Sequence, residues 1–186
     1  MITLLRGLNE PYSIVPKIGY AGFLTYGWGF ALSNADRLVE AIEPFSSVLR
    51  YCEEVMPLYL THLELGDAFF EQGDFKQLIH HYQVAFELAK EHQMEEEMLR
   101  TARELGDIYL EFEQGEEAVA LLSFCLDYSK RQALSDWERL FVGNLSTAYL
   151  GNGQLELARQ LSEALLEIGE TSGVIDDKTT AFTNFL

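Results

Sequence analysis

The sequence predicts an all-α protein, a solenoid of about four antiparallel helix pairs stacked in chain order. Hydrophobic residues make up 48% of the 186 residues, which is enough to bury a core. Apolar side chains recur at spacings of three, four and seven residues, as they do along the buried face of a helix. One pattern of small, aromatic and apolar residues also returns every 40 residues. A fixed period of this length is typical of stacked helical repeats.

The repeat is clearest in three segments, 63–89, 103–129 and 143–169. Near its start each segment has a small residue, at Gly66, Gly106 and Ser146. An aromatic residue follows three positions later, at Phe69, Tyr109 and Tyr149. A Leu or Ala follows twelve positions after the small residue, at Leu78, Ala118 and Ala158. Because the register is fixed, we expect the aromatic rings to pack in the core between the two helices of each pair.

A fourth, weaker copy lies upstream, with Gly29 at the small position and Leu32 three residues later. Ala41 stands twelve residues after Gly29, again in register. Sixteen residues after the small position, the four copies have Phe45, Tyr82, Leu122 and Ser162. The first helix pair is therefore expected to begin near residue 20.

Glycine-containing turns divide three of the copies into two helices, because glycine suits the point where a helix must stop. These turns are Gln72-Gly73-Asp74, Gln114-Gly115-Glu116 and Gly151-Asn152-Gly153. Pro57 is expected to start the first helix of the second unit, and Ser135 with Glu138 is expected to form a capping box in the fourth. The predicted units are 20–56, 57–93, 94–134 and 135–168, with an N-terminal arm at 1–19 and a loop with a short capping helix at 169–186.

These residues resemble the tetratricopeptide repeat (TPR) family. Its hallmark is a Leu-Gly pair, an aromatic residue three positions on and an Ala opening the core of the second helix, and the copies at Gly66 and Gly106 carry it most fully. The resemblance covers about four-fifths of the chain, but the period is 40 rather than the usual value of about 34. A serine, Ser146, also replaces the glycine, and the closing proline is missing after Ala85 and Cys125. Longer helices resembling those of bacterial signal-transduction and peptide-sensing members would account for the extra residues.

The resemblance implies a right-handed, non-catalytic solenoid in which the first helix of each pair lines a concave protein-binding groove. Its N-terminal end is predicted to be aromatic, at Phe23, Tyr26 and Phe30. Its middle is predicted to be mainly acidic with two apolar positions, at Glu64, Asp67, Phe70, Glu71, Glu104, Asp107, Leu110 and Glu111. The remaining predicted groove residues are Arg100, Arg103, Asn144 and Thr147. Such a groove favours a peptide or helix with apolar and basic residues.

Two alternatives apply to the charged groove residues. Each carboxylate can instead simply solvate a helix face. Arg100 and Arg103 can pair along their own helix with Glu96, Glu97, Glu104 or Asp107. Family members that hold the C-terminal carboxylate of a chaperone tail use Lys, Asn and Arg. Here Arg100, Arg103 and Asn144 stand beside acidic residues, which disfavours that ligand.

The composition argues against several other functions. The formal charge is −17, which opposes nucleic-acid binding. No catalytic motif or phosphate-binding loop is present, so we expect no enzymatic activity and no cofactor. The four histidines, His62, His80, His81 and His92, fall within one repeat. His80 and His81 are adjacent and diverge by about 100° on a helix, so we expect no metal site.

The two cysteines, Cys52 and Cys125, lie in helical patterns with no disulfide framework, which favours a reducing, cytoplasmic setting. Residues 18–35 carry no charge, but their glycines and polar residues argue against a membrane span. Two other roles stay open. The chain can be a peptide-sensing regulatory domain of a larger signalling protein, or a homo-oligomeric structural part that assembles through the end near Phe182. The oligomeric state is left open.

Overall fold

The computed structural model describes residues 19–172, and this part of the chain is all-α. Its eight helices follow one another through short turns and pack as sequential hairpins, which confirms the predicted fold class. Their bounds are α1 Gly19–Ser33, α2 Leu38–Tyr51, α3 Val55–Glu71, α4 Phe75–Glu91, α5 Glu95–Glu111, α6 Gly115–Gln132, α7 Ser135–Gly151 and α8 Leu155–Ser172. Most of the predicted arm and the predicted capping helix near Phe182 lie outside the described residues.

The chain divides within α5, after Met98, into two compact units. The described part of unit 1 is residues 19–98, and that of unit 2 is residues 99–172. No helix of the described part is long and apolar enough to cross a membrane. Cys52 and Cys125 are both buried free thiols.

Unit 1 contains the hairpins α1–α2 and α3–α4, and α3 packs against both α1 and α2. A buried cluster joins the two hairpins; its members are Trp28, Leu32, Ala41, Phe45 and Leu65. Two of these residues lie on α1, two on α2 and one on α3. The core is therefore continuous between the first pair and the first helix of the second.

The small repeat position in unit 1 lies directly against an aromatic ring. A Cβ added to Gly29 would lie 2.6 Å from the ring of Phe45, and one added to Gly66 would lie 2.7 Å from the ring of Tyr82. Both rings belong to the second helix of the same hairpin. The glycines are therefore required by close helix packing.

In unit 2 the same position has different partners. A Cβ on Gly106 would lie 2.8 Å from the side chain of Leu122. Ser146 Oγ lies 2.7 Å from Ser162 Oγ and donates to the carbonyl of Ala158 at 2.8 Å. Because Ser162 is small, a serine fits where the other copies need glycine. This explains why Ser146 departs from the family pattern.

The turns agree only in part with the predicted glycine stops. Gly73 and Gly153 take positive φ angles of 74° and 71°, in the left-handed region that favours glycine. The prediction for Gly115 was wrong: Glu113 takes the left-handed conformation, and Gly115 is the first residue of α6. The side chain of Asn152 occupies the space that a Cβ on Gly115 would need.

The predicted capping box at Ser135 is also wrong. Ser135 is the first residue of α7, and its N-cap is Leu134, which makes no side-chain capping bond. The left-handed Ala133 at φ 57° ends α6 immediately before it. The change of direction before α7 is therefore made by the left-handed backbone of Ala133, without a side-chain cap.

Candidate functional site

The candidate site in unit 1 begins with aromatic residues on α1. The ring of Tyr26 stacks on that of Phe30 with centroids 6.0 Å apart, and it lies 5.9 Å from the buried ring of Phe45. Phe30 is 46% exposed, so its ring is available to a partner. Phe23 was predicted to join these residues, but its side chain lies outside the described part of the chain. The other two predicted aromatic residues are thus brought together.

Acidic residues on α3 lie next to this aromatic surface. Ser33 Oγ on α1 donates to Glu64 Oε2 at 3.1 Å. One turn further along α3, Asp67 Oδ1 accepts a hydrogen bond from the hydroxyl of Tyr82 at 2.8 Å. We call the surface formed by Tyr26, Phe30, Ser33, Glu64 and Asp67 the acidic aromatic face.

Electrostatics show that the acidic aromatic face is short of positive charge. Burial raises the pKa of Glu64, and the charge of Asp67 adds to this rise while the Ser33 hydrogen bond opposes it. Asp67 as a whole is exposed, but partial burial of its carboxyl group raises its pKa, against the effect of the Tyr82 hydrogen bond. The pKa of Tyr26 rises to about 12 through burial and the nearby charge of Glu64. Among residues 19–172, no Lys or Arg forms an ion pair with Glu64 or Asp67.

Phe70 and Glu71, at the C-terminal end of α3, extend the exposed surface of unit 1. Phe70 is 42% exposed, and its ring lies 6.0 Å from that of Phe75, the first residue of α4. Glu71 is also exposed. The hairpin turn therefore presents an apolar pair beside a carboxylate.

The predicted residues of unit 2 have a more balanced charge. Arg103 lies beside Glu104, with Nη2 and Oε1 3.4 Å apart. Partial burial of the carboxyl group raises the pKa of Asp107, and the positive charge of Arg103 lowers it. Arg103 thus interacts with both acidic neighbours along α5, and Asp107 stands at the four-residue spacing of the intrahelical alternative.

The other predicted residues of unit 2 reach the surface to different extents. Arg100, Asp107, Glu111 and Thr147 are exposed. Leu110 and Asn144 are half-buried. Thr147 Oγ1 donates to the carbonyl of Gly143 at 3.2 Å, one turn back along α7. Its hydroxyl therefore already has a backbone partner.

The aromatic column of the repeat lies further inside the protein. Tyr109 is buried, and Phe69 and Tyr149 are half-buried. Phe69 stacks on the ring of His81 across the α3–α4 hairpin, with centroids 5.4 Å apart and planes at 6°. Phe69 therefore packs between the helices of its pair.

One feature that the sequence reasoning missed is a histidine pair. His62 on α3 and His81 on α4 have their Nδ1 atoms 2.9 Å apart. His62 lies ten residues before Gln72 and His81 lies eight residues after Gly73, so the two residues meet across the hairpin without symmetry about its turn. The available signal was only that both histidines lie in one predicted helix pair, one on each helix. In the described part of the chain, no group of three or more His, Cys, Asp or Glu is arranged to hold a metal ion.

Solved structures with the same fold are TPR and TPR-like repeat proteins. A kinesin-light-chain-type protein of Podosopora anserina with nearly identical TPR-like repeats superposes with a TM-score of 0.69 at 18% identity, over 91% of this chain and 86% of that one. RapI in its apo form superposes with a TM-score of 0.75 at 15% identity, over 90% of this chain but 48% of that one.

A third similar structure is a signal transduction ATPase with numerous domains from Pyrococcus horikoshii, which has a tetratricopeptide repeat sensor. It superposes with a TM-score of 0.69 at 14% identity, over 88% of this chain and 26% of that one. No protein-family profile matches the chain, and no curated protein matches it. The comparisons establish a TPR-like fold, whose repeats typically form protein-binding surfaces.

Proposed function

We propose that this TPR-like chain is a non-catalytic protein-binding module whose acidic aromatic face binds a peptide or helix with basic and apolar residues. The observation that carries the proposal is the charge imbalance of that face. Glu64 and Asp67 are held beside aromatic rings, and the described residues supply neither with a cation.

A Lys or Arg from a partner fits this arrangement for two reasons. Its charge would offset the repulsion between Glu64 and Asp67 that raises the pKa of Glu64. The rings of Tyr26 and Phe30 offer apolar surface for the side-chain stem and a negative face for the cation. Phe70 provides a further exposed ring for an apolar residue of the partner.

In unit 2 we propose a weaker contribution from the predicted groove residues. Asp107 is exposed like Asp67, but Arg103 already offsets part of its charge. Leu110 and Glu111 supply an apolar and an acidic contact. The remaining proposed contacts in this unit are Arg100, Glu104, Asn144 and Thr147.

A second candidate function is ligand sensing within a larger signalling protein. The observation in its favour is that the chain spans 48% of RapI and 26% of the signal transduction ATPase, whose TPR region is a sensor. In this case the acidic aromatic face would bind the sensed peptide, and another part of the protein would produce the output. We also infer a reducing, cytoplasmic setting, which the two buried free thiols support.

The proposal can be tested by selecting peptides from a displayed random 12-residue library on the purified chain. The expected result is enrichment of peptides that combine Lys or Arg with Leu, Ile or Phe. Their affinity should fall as salt rises, because the attraction is between exposed charges. The double variant Asp67→Lys/Asp107→Lys should lose these peptides.

A matched control is Glu91→Lys/Asp127→Lys, which makes the same charge change at exposed positions on the second helices α4 and α6. This control should keep the selected peptides. If both double variants lose the peptides equally, the loss comes from net charge alone, and the assignment of binding to the acidic aromatic face is contradicted. Enrichment of acidic peptides would contradict the proposed partner chemistry.

A further inference from the structure

The histidine pair in unit 1 has a geometry that depends on protonation. His62 Nδ1 and His81 Nδ1 are 2.9 Å apart, which is hydrogen-bond distance. Two ring nitrogens this close share one hydrogen, so one ring donates through Nδ1–H and the other accepts. The contact therefore requires at least one Nδ1 without a proton.

The surroundings favour the neutral form of both rings. His81 is 8% exposed and stacks on Phe69, while His62 is half-buried. Burial and, to a smaller extent, the charges of neighbouring histidines lower the pKa of each ring to about 4.

The titratable neighbours of the pair also matter. His80 on α4 acts on both rings, and its centroid lies 5.4 Å from that of His81. Within the described residues, no carboxylate on α1, α2, α3, α4 or α5 contributes to the pKa of either ring. A doubly protonated pair therefore has no counter-charge in this part of the chain.

We propose that the pair formed by His62 and His81 is an acid-sensitive latch, which holds α3 against α4 while the rings are neutral and releases the two helices when both are protonated. When both rings are imidazolium ions, each Nδ1 carries a hydrogen and neither can accept. The two positive charges then repel each other in a poorly solvated position. The latch is a property of the hairpin and does not depend on the proposed function.

The direction of the pH effect follows from proton linkage. In the unfolded chain a histidine has a pKa near 6.5, so the unfolded state binds these protons at a higher pH than the native state does. The stability due to the neutral pair is fully present above about pH 6.5. It is lost as the pH falls from that value toward about 4, the pKa of both rings in the native protein.

The test compares urea unfolding at pH 7 and pH 5 for the full chain, the variant His62→Gln and the control His92→Gln. Gln keeps an amide that can bond to His81 but does not titrate, and His92 is an exposed histidine at the end of α4. Between pH 7 and pH 5, the unfolding equilibrium constants of the parent and of His92→Gln should each rise by a factor at least about ten times larger than that of His62→Gln. The carboxylates titrate in all three proteins, so the difference isolates the pair. An equal rise in all three would overturn the proposal.

A second measurement needs no variant and keeps the proposal testable if His62→Gln does not fold. Nuclear magnetic resonance of the histidine rings in the parent chain should show two rings that remain neutral below pH 5. A midpoint near 6.5 for His62 or His81 would overturn the proposal.

Discussion

In unit 1 a glycine lies against an aromatic ring in both helix pairs, whereas in unit 2 a glycine lies against Leu122 and a serine against Ser162. The helices approach closely in every pair, yet the two facing residues share the available volume differently. A large ring leaves no room for a Cβ, and a small partner leaves room for a hydroxyl. The repeat thus places a glycine against a large partner in three pairs and a serine against a small partner in the fourth. Substitutions at Gly29, Gly106 and Ser146 can show how strictly this match is required.

The largest effect is expected for Gly29→Ala in unit 1. The new Cβ would lie within 2.9 Å of three atoms of the Phe45 ring, which is fully buried. Since the ring cannot move into solvent, we expect a loss of about 2 to 3 kcal/mol in the free energy of unfolding. Chemical denaturation measures it.

The matched control is Gly27→Ala on the same helix. No atom lies within 4 Å of a Cβ at Gly27, so helix propensity should dominate there. We expect a gain of about 0.5 to 1 kcal/mol. Destabilisation of similar size by both substitutions would show that α1 tolerates no alanine and would contradict the steric explanation.

The next effect compares the two exposed aspartates in binding. Asp67→Lys should weaken the peptides selected on this chain about tenfold, which is about 1.4 kcal/mol. Asp107→Lys should weaken them less, because Arg103 already offsets part of the charge of Asp107. Titration calorimetry with one selected peptide measures both values. If Asp107→Lys lowers the peptide affinity more than Asp67→Lys does, the main charge contact lies in unit 2.

A smaller effect is expected for Gly106→Ala in unit 2. The added Cβ would lie 2.8 Å from Leu122 Cδ2, the end of a flexible aliphatic side chain. Leu122 can change rotamer more easily than a buried ring can shift, so we expect a loss of about 1 kcal/mol or less. A loss equal to that of Gly29→Ala would remove the distinction between the two units.

The smallest effect is expected for Ser146→Ala. The substitution removes the hydrogen bond to the carbonyl of Ala158, but Ser162 Oγ still lies 2.9 Å from the same carbonyl. The carbonyl of Ala158 therefore keeps Ser162 as a donor, and the expected loss in the free energy of unfolding is about 0.5 to 1 kcal/mol. Ser146→Gly should cost about 0.5 to 1 kcal/mol more, because glycine lowers helix propensity. Thermal unfolding of the two variants side by side separates these contributions.

Periodicity was enough to predict the helix pairs and the repeated small position at Gly66, because both depend on local register. It could not predict the hydrogen bond from Ser33 to Glu64, which depends on how two successive pairs pack sideways. It also did not predict the contact between the rings of His62 and His81, because side-chain rotamers decide whether facing rings meet. Gly115 misled the turn prediction because its role is to make room for Asn152, which comes from a distant turn.

The complementary volumes inside each hairpin also determine where this chain could be recombined with related repeats. A crossover at the turn near Gly73 would separate Gly66 from Tyr82 and could join a glycine to a small partner, leaving a void. A crossover near Gln93 or Ala133, where one pair ends and the next begins, inherits both members together. When repeats are recombined or engineered, the unit of this protein that should be moved intact is the whole helix pair.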